Sequence, residues 1–137
     1  MKLITTFSEE KKQWEEALDA FPEANFLQSW NWGVFQEKLG KLVVRVLLRN
    51  SKNKIVAVSQ MVLERAKRGT YFAVAGGPLL DWNNSLLVAS VMTELRVIGE
   101  KHGAVFIRFR PQITGTTKIM RQLAALGIKH APMHVTA

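Results

Sequence analysis

The chain contains no cysteine, so disulfides and thiolate chemistry are excluded, which fits a reducing compartment. No apolar run is long enough to span a bilayer, and no N-terminal segment has the layout of a secretory signal. The expected location is therefore cytoplasmic, without stable membrane insertion. There is no Walker sequence, no dinucleotide fingerprint and no nucleophile elbow. Histidine is scarce. His130 and His134 stand four apart, but no glutamate follows His130 and no third ligand is evident, so no metal site is expected. His102 precedes Gly103 and reads as a helix-ending residue that meets the dipole. Acidic residues are few, 11 against 19 Lys and Arg, which leaves a net charge of +8.

That charge is uneven: residues 1–40 carry −3, residues 41–68 carry +7, and residues 69–137 carry +4. A basic middle suits an anionic partner such as a diphosphate, a nucleic acid or a lipid head group. It also suits a strand edge guarded by Lys and Arg. With 47% hydrophobic and 22% charged residues in 137, the composition is that of one soluble domain, 1–137, with its own core.

Periodicity sets out the elements. A short strand over Lys2–Thr6 precedes a helix in which Trp14, Ala17, Leu18 and Phe21 share one face, with Thr6 and Glu9 spaced as a capping box. Phe26–Ser29 leads into a second helix, Trp30–Leu39, closed by Gly40; its Trp32, Phe35 and Leu39 are spaced as core residues. Leu42–Asn50 and Lys54–Arg65 alternate as a hairpin. Val44, Val46 and Leu48 fall opposite Arg45 and Arg49, and Ile55, Ala57, Met61 and Leu63 fall opposite Gln60 and Glu64. The Tyr71 strand is expected third in the meander. A long helix, Leu86–His102, buries Leu87, Val91, Leu95 and Ile98. A strand at Ala104–Phe109 follows, then a helix capped by Thr116 or Thr117 with Ile119, Met120, Leu123 and Leu126 inward. The order β-α-α-β-β-β-α-β-α predicts an α/β fold with a mixed sheet and helices on its faces.

One stretch organises the rest, Tyr71–Trp82. Its strand runs into Gly76-Gly77-Pro78, and then into the cap-competent run Asp81–Ser85 before the long helix. A glycine loop between strand and helix can aim backbone N–H groups at an anion; taken alone, such a short glycine motif is more often only a tight turn.

The element order resembles the first part of the GNAT acyltransferase fold. Residues 75–81, Ala-Gly-Gly-Pro-Leu-Leu-Asp, depart from that fold's acetyl-CoA loop signature. A closer resemblance is to the Fem-type peptidoglycan aminoacyltransferases, which have a GNAT-like fold. Phe26-Leu-Gln-Ser-Trp-Asn-Trp-Gly33 is similar to their Phe-x-Gln-(Ser/Thr)-x-x-Trp-Gly helix entry. Gly76-Gly-Pro-Leu-Leu-Asp81 is similar to their Arg-Gly-Pro-Val-x-Asp loop, and Phe106-Ile-Arg-Phe-Arg-Pro111 to their Leu-Arg-Ile-Asp-Pro strand end. Leu126–Val135 resembles the handover from their first subdomain.

The resemblance implies a largely antiparallel, GNAT-like partial fold. It also implies transfer of an amino acid from aminoacyl-tRNA to the stem-peptide amine of a cell-wall precursor, in truncated or split form, with no cofactor and no metal. Substrate contacts are expected at Gln36, Lys38, Arg45, Gly76, Gly77, Pro78, Asp81 and Arg108, with Arg49 adding charge; no catalytic residue is assigned. Gln36 stands where the family often has Lys, Gly76 where it often has Arg, and Arg110 where it often has Asp. Family members are far longer, so a second copy or a companion chain is the expected partner, and the lone chain should fold but transfer poorly. The alternatives are a non-catalytic GNAT-like module that binds an anionic ligand or a partner chain, and an RNA-binding domain supported by charge alone.

Overall fold

The computed structural model describes residues 1–112 and 117–128. Expectations that fall on Thr116, His130 and His134 therefore lie outside the described residues, as do the side chains of Thr117 and Met120. Strand β1 (Ile4–Phe7) is followed by helix α1 (Lys11–Leu18), a 3-10 turn at Phe26–Gln28 and helix α2 (Trp30–Lys38). Three strands succeed them, β2 (Val43–Arg49), β3 (Ile55–Ala66) and β4 (Gly69–Ala75), and then a two-residue strand β5 (Leu79–Leu80). Helix α3 (Ser85–Lys101), strand β6 (Phe106–Arg110) and helix α4 (Thr117–Ala125) complete the order. The sheet runs β1-β2-β3-β4-β6, with β5 paired to β3. Among the described residues only the β4–β6 pairing is parallel, so the sheet is mixed and largely antiparallel, as the sequence and its resemblance predict.

Side-chain alternation divides the core between the two faces of this sheet. Val46, Leu48, Ala57, Met61, Phe72 and Val74 pack on one face against Leu87, Val91, Leu95 and Ile98 of α3 and Ile119 of α4. Leu47, Val58 and Leu79 pack on the other face with Trp14, Ala17 and Leu18 of α1. The middle of β2 is thus covered on both sides, which turns the face expected to carry exposed arginines into an interior.

Three local expectations are corrected. The capping box does not form: Glu10 is the N-cap of α1 without a side-chain bond, and Ser8 Oγ instead lies 3.2 Å from Glu10 O and 3.0 Å from Gln13 Oε1. Ile55 does not share a face with Ala57. Leu48 pairs with Ala57 but Arg49 pairs with Ile55, so the bulge at Val56 turns Ile55 toward the α1 side. Strand β5 has no counterpart in the sequence reading, because two residues are too few to show a period.

The helix ends are fixed by side chains the sequence does offer. Ser29 Oγ accepts from Trp32 N at 3.1 Å and Asn84 Oδ1 accepts from Leu87 N at 3.1 Å, so each satisfies an otherwise unpaired first-turn donor. Ser29→Ala should cost about 1 kcal/mol of stability, measured by urea unfolding; no change would mean that α2 is held by packing alone.

The joint under the helix layer and the open sheet face

The glycine turn does not face an empty space. Asn25 Nδ2 donates to Gly76 O at 2.9 Å, and Gln28 Nε2 donates to Ala75 O at 2.8 Å and to Gln60 O at 3.2 Å. In return Gln28 Oε1 accepts from Gln60 N at 2.8 Å. Gln28 is fully buried, and an added Cβ on Gly77 would stand 2.8 Å from its amide carbon. At Gly76, whose φ is +70°, a side chain would be strained and would also overlap Asn25. The close approach that these glycines permit is therefore made by the protein's own 3-10 turn. The Gly77–Pro78 peptide is cis.

Gln60 continues the joint toward α2. Its Nε2 donates to Leu27 O at 3.3 Å and Ser29 O at 2.9 Å, and its Oε1 accepts from Arg45 Nε at 2.9 Å. Arg45 Nη2 donates to Trp30 O at 3.2 Å and reaches Glu37 Oε1 at 3.5 Å. The guanidinium also lies 3.7 Å from the centroid of the Trp30 ring. Burial lowers the basicity of Arg45, while Glu37 and then Glu15 act in the opposite direction. Gly33 packs on this pair so closely that a Cβ there would overlap Arg45 and Gln60. The Phe-Leu-Gln-Ser-Trp-Asn-Trp-Gly run is thus the means by which the helix layer docks on β3 and the Gly-Gly-Pro turn.

Several expected substrate contacts sit inside this joint or far from it. Arg45 is committed to Gln60, Trp30 and Glu37, and Gln36 is buried within α2. Lys38 is exposed at the end of α2. Arg49, four residues along β2 from Arg45, donates from Nη1 to Thr6 Oγ1 at 2.7 Å. The structure does not gather these cations into one site. Nor does the glycine turn present the head of α3 to a ligand. Strand β5 intervenes, Asn84 caps the helix, and exposed Asp81 closes a local turn by accepting from Asn83 N at 3.0 Å. That carboxylate adds negative charge where an anion would have to sit. Asp81 lines a separate cleft of about 770 Å³ with Trp82, Asn83, Lys54 and Phe21.

Among the described residues no element covers the face of β4 and β6 on the α1–α2 side. Phe72 and Val74 of β4, and Ile107 and Phe109 of β6, pack on the α3 side, so alternation places Tyr71, Ala73, Phe106, Arg108 and Arg110 on the other. Tyr71 and Phe106 are register partners whose rings stack at 4.7 Å. The Arg108 guanidinium lies 5.5 Å and 5.8 Å from those two rings, and it has no hydrogen bond or ion pair among the described residues. Beside the end of β4, Phe26 meets Trp32 edge-on at 5.2 Å, and Trp32 meets Phe35 at 5.7 Å. Phe26 is 66% exposed, and Phe35 and Leu39, whose spacing predicted core, are 51% and 56% exposed. The arrangement offers aromatic surfaces, free guanidinium donors and a rigid floor. Among the described residues no three His, Asp or Glu side chains come together as a metal site would need, and no helix is long and apolar enough to cross a membrane.

The model of the FemAB family matches residues 8–136. No curated protein sequence matches the chain. A crystal structure of FemX superposes with a TM-score of 0.81 at 18% identity, over 95% of this chain and 32% of that one. The chain thus spans about a third of that protein's length. Glucosamine-6-phosphate N-acetyltransferase from Arabidopsis thaliana gives a TM-score of 0.62 at 11% identity, over 100% of this chain and 98% of that one. An acetyltransferase of Trypanosoma brucei gives 0.64 at 13% identity, over 99% of both chains. The fold is that of the GNAT acetyltransferases and of FemX.

Proposed function

The chain belongs to the FemAB family, and we propose that it serves an aminoacyltransferase as its first GNAT-like unit. The reaction moves an amino acid from aminoacyl-tRNA to the stem-peptide amine of a peptidoglycan precursor. The amine attacks the ester carbonyl, the tRNA hydroxyl leaves, and the amine's proton is released. Because the ester is already activated, alignment of the reactants and stabilisation of the oxyanion supply most of the rate. The observation that carries the reading is the Gln28–Gln60–Gly77 joint. It explains why a family-like helix entry and a family-like Gly-Pro loop occur in one chain, since each is built to fit the other.

In this proposal the precursor lies along the open face of β4 and β6. Arg108 meets its anionic groups, Lys38 adds charge at the rim, and Gly76, Gly77 and Pro78 shape the end of the floor, while Asp81 belongs to the separate cleft. Arg45 and Gln36 act by holding α2 in place. Arg108→Ala should weaken precursor binding about tenfold without changing the melting temperature, measured by calorimetric titration; unchanged affinity would remove the ligand from this face. A second reading, a non-catalytic GNAT-like module, is favoured by Gln36 and Arg110, which replace the Lys and Asp that the family often carries. It predicts the same binding with no transfer.

A further inference from the structure

We propose that the β3–β4 hairpin end of the sheet is a peripheral docking surface for an anionic lipid bilayer. Four strands finish there side by side. Lys41 Nζ bridges to Glu64 at 2.9 Å, Glu64 pairs with Tyr71, and Tyr71 pairs with Phe106. That row spans three strand spacings, about 14 Å. One step further, Val105 N donates to Thr70 O at 2.8 Å. The closing pair Ala66–Gly69 leaves Lys67 and Arg68 as a two-residue tip. Both are exposed, as are Arg65 in the adjoining strand, Lys38 at the end of α2 and Lys101 at the end of α3.

Apolar residues stand among these cations. Leu39, Leu42, Val105 and Phe106 are 56%, 46%, 66% and 44% exposed. The acidic side chain in the row, Glu64, is already held by Lys41. Basic residues around exposed aliphatic and aromatic ones match a bilayer surface, where head groups meet the charges and the interfacial region accepts the apolar groups. A polyphosphate such as RNA would answer the charges but leave Leu39, Leu42 and Val105 in water. Charge complementarity and the aliphatic residues together select the lipid surface.

The test is co-sedimentation of the full chain with vesicles of phosphatidylcholine alone or with 30 mol% phosphatidylglycerol (roughly the charge density of an anionic leaflet). Binding is expected only to the anionic vesicles and should weaken with salt as the charges are screened. Lys67→Glu with Arg68→Glu should lower it at least about tenfold. These changes lie in an exposed turn, so the melting temperature should not move. Val105→Asp should also lower it, although no cation is lost. Three results would overturn the proposal: equal or absent binding to the two vesicle types, loss on charge reversal but none with Val105→Asp, or tighter binding to single-stranded RNA that removes the chain from vesicles. A stable dimer dispersed by Val105→Asp would overturn it too, because a second copy would then cover the face.

Discussion

Gln28→Ala is expected to lower the stability of the chain by about 3 kcal/mol and its melting temperature by roughly 10 °C. The amide ties the 3-10 turn to β3 and to the end of β4, beyond the point where the β3–β4 pairing stops at Val62 and Ala73. Nε2 satisfies Gln60 O and Ala75 O, and Oε1 satisfies Gln60 N, in a site closed to water. Truncation leaves buried polar groups without their partner and opens a cavity beside Gly77. Surface polar deletions cost far less, so the size of the loss is diagnostic. The readout is thermal unfolding followed by circular dichroism. A fall of less than about 3 °C would mean that the helix layer does not depend on this amide.

The second large effect runs against intrinsic propensity. Replacing a glycine inside a helix by alanine ordinarily stabilises by about 1 kcal/mol. At Gly33 the same change is expected to destabilise by about 2 kcal/mol or more, because the methyl group would overlap the buried Arg45 guanidinium and the Gln60 amide. Neither group can withdraw freely. Arg45 is tied to Gln60, Trp30 and Glu37, and Gln60 to the backbone of Leu27 and Ser29. Adding Arg45→Ala vacates the space, so the double variant should lose less than the sum of the two single losses. Additive losses, or a gain from Gly33→Ala alone, would contradict the packing described for α2.

The sequence carried the type and order of the long elements because their periods are local. Leu87, Val91, Leu95 and Ile98 mark the buried face of α3, and Val46, Leu48, Met61 and Leu63 mark the α3 side of the sheet. Whether a marked face is covered is not local. Arg45 alternates like a solvent-facing residue, yet α2 lies on it; Trp32 and Phe35 recur like core residues, yet nothing described lies over Phe35. The bulge that turns Ile55 over depends on pairing with β2, and β5 depends on the partner strand alone. What the glycine turn accommodates is not local either. Gly76-Gly77-Pro78 signals a close approach but not what approaches, and here Asn25 and Gln28 do. The position of Gln28, two residues ahead of a glycine-containing aromatic helix, could have suggested this, since such a Gln has to satisfy both ends of its amide if it is enclosed.

The central claim is that the open face of β4 and β6 orients a precursor amine against an aminoacyl ester. Single-turnover transfer of radiolabelled amino acid from charged tRNA to a stem-peptide precursor tests it most directly, with the chain alone and with the rest of a family member supplied in trans. The account predicts label on the precursor amine when both parts are present, slow or no transfer by the chain alone, and a loss of about tenfold on Arg108→Ala. Precursor binding with no transfer in either arrangement would contradict it and leave the non-catalytic module. Transfer that Arg108→Ala leaves unchanged would put the chemistry on another face.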